Sequence, residues 1–486
     1  MRISKMTSNK YSVMKLEKLF FGLMIVAIVS ACTELTTNST AEHTKPLVTD
    51  VVTAIKAAQK NDGEVCDANA NWFPQSQTPA TNDLGFKSSS NCVFHQWAWQ
   101  KFLWLTQKVN GEPRFMSFAS PESLLGIERK GMMPRTEKDN DAHAFDEFAQ
   151  AGTDGVFVAH NGRAVYYSQY LNTTFVDFIL NANLNDYTKV LAQIDKDPSI
   201  NYPIDAKTQQ GSTELKVSWM IVEAGDDVSD MFTTSAEIAT LENFNGKIQV
   251  SNTQTQVVTL ALVGFHIAGI VNGHPEMVWA TFEHLENAPN MPTNLPLEDI
   301  VSNDNFTFYT ANTTAADCNI NYSASDLQVL DQASQKLSPI TQVCRQYEYG
   351  NAAGVNTTND KNIQLINQSV VAQIGADNIW RNYREVGAIW FNTLNALQPG
   401  LSLGDDKLLT GSLSLSNSTI ETFTQVASTE DNCFRCHHTL EQYPPKLSMQ
   451  MLPQANLNIS HAFQNIFFGS QQQAANATPT LQGEEQ

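Results

Sequence analysis

Beyond its first thirty residues this 486-residue chain holds no apolar stretch long enough to span a bilayer, and long basic runs are missing throughout. Thirty Lys and Arg stand against fifty Asp and Glu, a formal net charge of -20. Such an acidic surface disfavours nucleic acid and anionic membranes, whose phosphates it would repel. It suits a basic protein partner, and it suits equally the solubility of an exported protein. No repeat recurs at solenoid or propeller periods, which excludes stacked architectures. Cysteine is scarce too, with seven residues in all. What those few cysteines do therefore carries most of the chemical information.

The most informative string is Cys433-Phe434-Arg435-Cys436-His437, the C-x-x-C-H signature of covalent c-type haem attachment. On one helical turn the two thiols reach the two vinyl groups of one porphyrin. His437, four residues after Cys433, then lies over the same ring and can ligate the iron from its proximal side. A structural zinc site needs four ligands in a tetrahedron, and Cys433, Cys436, His437 and His438 are too crowded along one stretch to supply them. A thioredoxin-like pair would follow a strand in a βαβ unit, whereas Ser428-Thr429-Glu430-Asp431-Asn432 reads as a polar loop. The expectation is one covalent haem c.

The other end of the chain agrees. Lys15 and Lys18 precede an apolar run from Leu19 to Val29, then Ser30-Ala31-Cys32. This is a signal peptide, with a charged n-region and an h-region too short for a full transmembrane helix. Met14 gives it a more ordinary length than Met1 does. Val29-Ser30-Ala31-Cys32 resembles the bacterial lipobox, which implies that Cys32 becomes the lipidated first residue of the mature protein. Several acyl chains anchor firmly where one binds only marginally. Thr33 is not the aspartate that often retains such lipoproteins at the inner membrane, so an outer-membrane anchor facing the periplasm is expected. Cleavage removes Arg2, Lys5, Lys10, Lys15, Lys18 and Glu17 and takes the net charge from -20 to about -24.

Cysteine accounting closes around this picture. With Cys32 lipidated and Cys433 and Cys436 on haem, Cys66, Cys92, Cys318 and Cys344 remain, an even number in an oxidising compartment. Four cysteines allow three pairings, and the sequence-local one, Cys66–Cys92 with Cys318–Cys344, is favoured. Each loop would contribute roughly 3–4 kcal/mol by chain entropy. No thiol is left as a nucleophile, which argues against cysteine-based catalysis.

The expected organisation is a signal peptide over 1–31, a Thr/Ser/Ala/Lys tether over 32–61, a large domain over 62–425, a haem segment over 426–470 and a Gln/Ala-rich disordered tail over 471–486. Residues 94–105 are apolar almost all round and predict a buried helix, whose three tryptophans read more simply as core than as a haem wall. Hairpins are expected around Asn161-Gly162 and, most clearly, from Val257 to Leu285 around Asn272-Gly273. Residues 215–222 add a strand. Tyr187 to Lys196 and Ile379 to Leu397 read as helices, and the Asn/Thr-rich stretches 301–315 and 351–370 as long loops. The fold class is α+β: a large, mainly antiparallel-sheet body with helices, and a small C-terminal haem-bearing helical segment docked on it.

His274, Glu276, Glu283 and His284 invite a metal site, but on one strand the two histidines would stand about 33 Å apart. Across a two-residue turn His266 is expected to pair with Trp279, with Met277 diagonal to it. A hydrogen-bonded core histidine is the simpler reading; approach of His266 or Met277 to the haem is the functional one. For the distal iron position His461 ranks first, on a helix whose Ile459, Phe463 and Ile466 face a core. Met451 or Met449 comes second, and an open site or a body residue third. His438 adjoins the proximal ligand too closely to reach over the ring.

Phe94-His95-Gln96-Trp97-Ala98-Trp99-Gln100, His274 to His284 and Cys433 to His437 together resemble exported bacterial proteins of the cytochrome c family, over most of the mature chain. The resemblance implies a c-type cytochrome with a large extra domain. The function expected is electron transfer by a lipid-anchored, single-haem protein, with a periplasmic redox protein as partner and no nucleic acid. The alternative is a haem-dependent oxidoreductase whose large domain binds a small-molecule substrate. A binding or sensory lipoprotein, with haem organising the fold, is the third class.

Overall fold

Strands that carry large apolar side chains on both faces must be covered on both sides, and that requirement shapes this protein. The computed structural model describes residues 66–73, 85–86, 91–127, 133–134, 156–322, 328–402, 406–424 and 432–477. The expected signal peptide, Cys32 and the tether lie outside the described residues. The centre is an antiparallel sheet of eight strands: β1 (Met133–Pro134), β2 (Val165–Leu171), β3 (Thr213–Ile221), β4 (Thr233–Phe244), β5 (Lys247–Val271), β6 (His274–His284), β7 (Tyr383–Phe391) and β8 (Leu409–Gly411). Their order is β8-β7-β6-β5-β3-β2-β1, and β4 folds back on β5 beside this path. The described helices are α1 (Cys92–Thr106), α2 (Thr173–Asn181), α3 (Tyr187–Lys196), α4 (Thr357–Gln373), α5 (Cys433–Cys436) and α6 (His461–Ala477). The architecture is α+β. No described helix is long and apolar enough to cross a membrane.

Helix α1 lies across one face of the sheet and is buried nearly all round. Phe102 at its centre stacks on Phe282 of β6 at 4.3 Å and meets Phe265 of β5 edge-on at 5.4 Å. Helix α4 flanks it, and the Trp99 indole donates to Asn367 at 2.8 Å. Trp97 and Trp99 of α1 are core, and Trp104 packs against it half-buried. The opposite face of β5, β6 and β7 forms a second apolar cluster with α2, α3, α6 and Phe434. Cys66 is bonded to Cys92 and Cys318 to Cys344.

Two stretches fold otherwise than their composition suggests. Residues 379–397, read as a helix, form a short 3₁₀ turn at Ile379–Asn382 and then strand β7. β7 is inside the sheet and buried on both faces, so its apolar residues do not alternate and strand periodicity is hidden. Residues 357–370, read as loop, belong to α4, which buries Ile363, Ile366 and Val370 at helical spacing while its asparagines bond to the core. Helix α6 runs on to Ala477, through the first residues of the stretch read as tail.

The β5–β6 hairpin departs in register. Val271 faces His274 across the Asn272-Gly273 turn, but by Gly269 the partner is Val278. Pro275, Glu276 and Met277 thus bulge opposite Ile270, with Met277 at φ +68°. His266 therefore faces Thr281, and Trp279 faces Ala268 instead of His266. A shift of two keeps every side chain on its original face.

Phe102→Ala should lower stability by about 3–5 kcal/mol, because the ring fills the junction of α1 with β5, β6 and β7. The denaturant midpoint should fall with an unchanged slope.

Candidate cofactor-attachment site

The C-x-x-C-H string forms a single helical turn. Asn432 caps it, its side chain accepting from the Phe434 N–H at 3.0 Å, and the His437 N–H closes it on the Cys433 carbonyl at 2.8 Å. Phe434, between the cysteines, is fully buried against Phe391 and Trp279, with ring centroids 4.9 and 6.3 Å away. Arg435 and Cys436 point outward as a result. Cys433 and Cys436 are not bonded to each other. Desolvation pushes the Cys433 thiol well above its ordinary pKa, and the neighbouring Glu421 adds to this. A thiol kept protonated is a poor nucleophile.

His437 is held on three sides. Its Nδ1 lies 2.9 Å from the Ile459 carbonyl. A carbonyl only accepts, so Nδ1 carries the proton and Nε2 is left with the lone pair that binds metals. Trp279 covers one side of the ring at 3.9 Å, and His461 stacks on it at 3.9 Å with an interplanar angle of 25°. Burial, with the charges of His461, Lys216 and His266, holds the His437 pKa well below the ordinary histidine value. The imidazole is neutral, the form a metal requires.

The segments around the motif are tied to the body. The Thr439 hydroxyl donates to Gln398 at 2.7 Å and accepts from the Leu401 N–H at 2.8 Å. The Tyr202 hydroxyl donates to Leu457 at 2.9 Å, and Ser460 donates to Glu214 of β3. Near His437 the sheet face presents His266, whose Nε2 bonds Glu421 at 2.6 Å, with Lys216 as its cross-strand partner. Desolvation pushes the Glu421 carboxyl up, but His266, the Asn417 N–H and the charge of Lys216 together leave the pKa below the usual carboxylate value.

The other residues singled out from sequence fall into place around this core. His461, expected across the porphyrin from His437, lies beside it, and its Nε2 bonds the Cys436 carbonyl at 3.0 Å. Met449 is half-buried against the second apolar cluster and Met451 is exposed, on a loop that Gln471 grips by both the N–H and the carbonyl of Gln450. His438 sits aside, bonded to Gln442 at 3.3 Å. His274 and His284 are separate core histidines. His274 bonds Glu276 at 2.7 Å, and His284 lies beside Asp230 and Tyr383. Met277 is buried in the second cluster. Sequence reasoning missed Trp279 as a neighbour of His437 because the bulge was invisible to it. It missed Ile459 because that residue acts through its backbone.

These donors fit a haem better than zinc. Among the described residues no three His, Cys, Asp or Glu side chains converge as a ligand set for a metal ion. Two cysteines on one turn that are not in a disulfide, beside a neutral, Nδ1-protonated imidazole, fit a covalently held porphyrin. Comparison with family models, with curated proteins and with solved structures finds no match for the chain.

Burial raises the Glu214 carboxyl from 4.5 to about 7 in the folded protein. The folded state then holds a proton that the unfolded chain has released, so this group lowers stability as pH rises from about 4.5 to 7, by up to roughly 3 kcal/mol. Glu214→Gln should flatten that decline in melting temperature between pH 5 and 8. An unchanged pH profile would mean that Glu214 ionises normally.

Proposed function

We propose that this protein is a c-type cytochrome that carries one covalent haem on Cys433 and Cys436 and transfers single electrons. The observation that carries the reading is the hydrogen bond from His437 Nδ1 to the Ile459 carbonyl, which leaves Nε2 as the ligating atom. When bound, the haem supplies a one-electron couple. The chain's own residues do the rest. Cys433 and Cys436 would hold the porphyrin and His437 would ligate its iron, while Trp279 and Phe434 keep water from the buried side of that imidazole. Exposure of Cys436 favours a carrier over a substrate oxidase, because one attachment edge then faces a protein partner.

Export and lipid anchoring through Cys32 belong to the same proposal and rest on the N-terminal sequence. The partner suggested by the acidic surface is a basic periplasmic redox protein.

A denaturing gel stained for haem peroxidase activity should show a band for the wild type expressed with a c-type maturation system. Cys433→Ala with Cys436→Ala should abolish that band, and retention of it would sink the assignment. Separately, Cys32→Ala should move the protein from the membrane to the soluble fraction with its haem intact. If the variant stays with the membrane, the anchor lies elsewhere.

A further inference from the structure

We propose that His461 is a positioning residue for the proximal imidazole and not an iron ligand. The proposal rests on the haem reading and deepens it. His461 is two residues from Ile459, whose carbonyl holds His437 Nδ1. With iron on His437 Nε2, that carbonyl would lie behind the ring, on the proximal side and away from the metal. To ligate the opposite face, the chain would have to pass from behind the proximal ring to beyond the porphyrin within two residues. Two residues of fully extended chain span about 7 Å. The path from the carbonyl to a distal nitrogen contains the 2.9 Å hydrogen bond. With both imidazoles on one iron it would also contain two metal–nitrogen bonds, each about 2 Å if they match the zinc–imidazole length. That already uses the whole reach, before the width of His437 is added, and the α-carbon of a distal ligand lies farther out still.

The chain around Ile459 has little freedom to rearrange. Leu457 accepts from Tyr202, the Asn458 side chain donates to Leu440 and Pro453 at 2.9 and 2.8 Å, and Ser460 is bonded to Glu214. Ile459 itself is buried. What the observed position of His461 does is clear from its contacts. Its ring stacks on His437, and its Nε2–H donates to the carbonyl of Cys436, the last cysteine of the motif. The proximal imidazole is thereby clamped between Trp279 and His461, and the end of the attachment turn is pinned to the start of α6. Two imidazoles on one iron instead meet it nitrogen-first from opposite faces, with the porphyrin between them.

The test uses the full-length, matured holoprotein in wild-type, His461→Ala and His461→Phe forms, read by optical and magnetic circular dichroism spectra and by redox titration. The spin state and axial-ligand signature of the wild type should persist in both variants. Loss of the stacked ring in His461→Ala admits water to the proximal side, which favours the more charged ferric state, so the midpoint potential should fall. His461→Phe restores a ring over His437 and should fall less. Conversion from low spin to high spin in His461→Ala would overturn the proposal and make His461 the sixth ligand. A potential unmoved in His461→Ala would equally remove the positioning role. A wild type without covalent haem would strike the haem reading itself, and this inference with it.

Discussion

The bond from the His437 ring to the Ile459 carbonyl is the constraint on which the candidate site depends. It fixes the tautomer, and with the tautomer the nitrogen able to bind iron. It also fixes a direction, because the carbonyl lies on the side of the ring away from Nε2, and the chain next to Ile459 starts from that side. Desolvation works to the same end. A charged imidazole could not ligate, and the buried setting disfavours the charged form. The tautomer thus follows from one backbone group at the approach to α6, while the neutral charge state follows from burial, which outweighs the pull of that same carbonyl toward the charged form.

Elsewhere His95 and His274 are each paired with a glutamate inside the core, and they serve packing. His95 is completely buried, bonded to Glu385 at 2.7 Å and Asn359 at 2.9 Å, and so joins α1 to β7 and α4. Burial pushes the Glu385 carboxyl up, and the pair is best regarded as holding its proton jointly. Glu283 behaves in the opposite sense. Burial would raise it, yet Arg345 and Arg384 hold it below the ordinary carboxylate value, and it accepts from the Ser418 N–H at 2.9 Å. Removing one member of such a buried pair typically costs about 3–5 kcal/mol. These pairs lock the sheet to its covering elements, which makes the sheet a rigid platform for the residues that meet His437.

How much of this was legible in the residues depended on whether the signal was local. The helical turn at Cys433–Cys436, the all-round apolar helix from residue 94 and the Asn272-Gly273 hairpin are each written in a few consecutive residues. So is α3, whose bounds at Tyr187 and Lys196 match the sequence pattern. β7 was lost because a strand covered on both faces shows no alternation. α4 was lost because its asparagines look like loop residues until their partners, His95, Trp99 and Glu385, are known. In the candidate site, Cys433, Cys436 and His437 were named from spacing alone. The neighbours of His437 were not, since Trp279 comes from another element and Ile459 contributes a carbonyl that every residue possesses. His461 was singled out as a distal ligand, and the structure places its ring against His437, a neighbourhood that sequence spacing does not specify.

The size of the body relative to the motif has a physical explanation. A single helical turn has no stability of its own, since nucleation fixes several dihedrals for one hydrogen bond. The attachment turn is therefore held from outside, by Phe434 in the second apolar cluster, by Thr439 against residues 398–401 and by the anchored stretch from Asn456 to Ser460. The fit also depends on the bulge at Pro275 to Met277. Without that two-residue shift Trp279 would sit about 7 Å along the strand from its present place opposite Ala268. His437 would then lose its indole cover while every side chain kept its face. The bulge sets a distance along the strand without altering which residues are buried, and that distance is what brings the sheet to the imidazole.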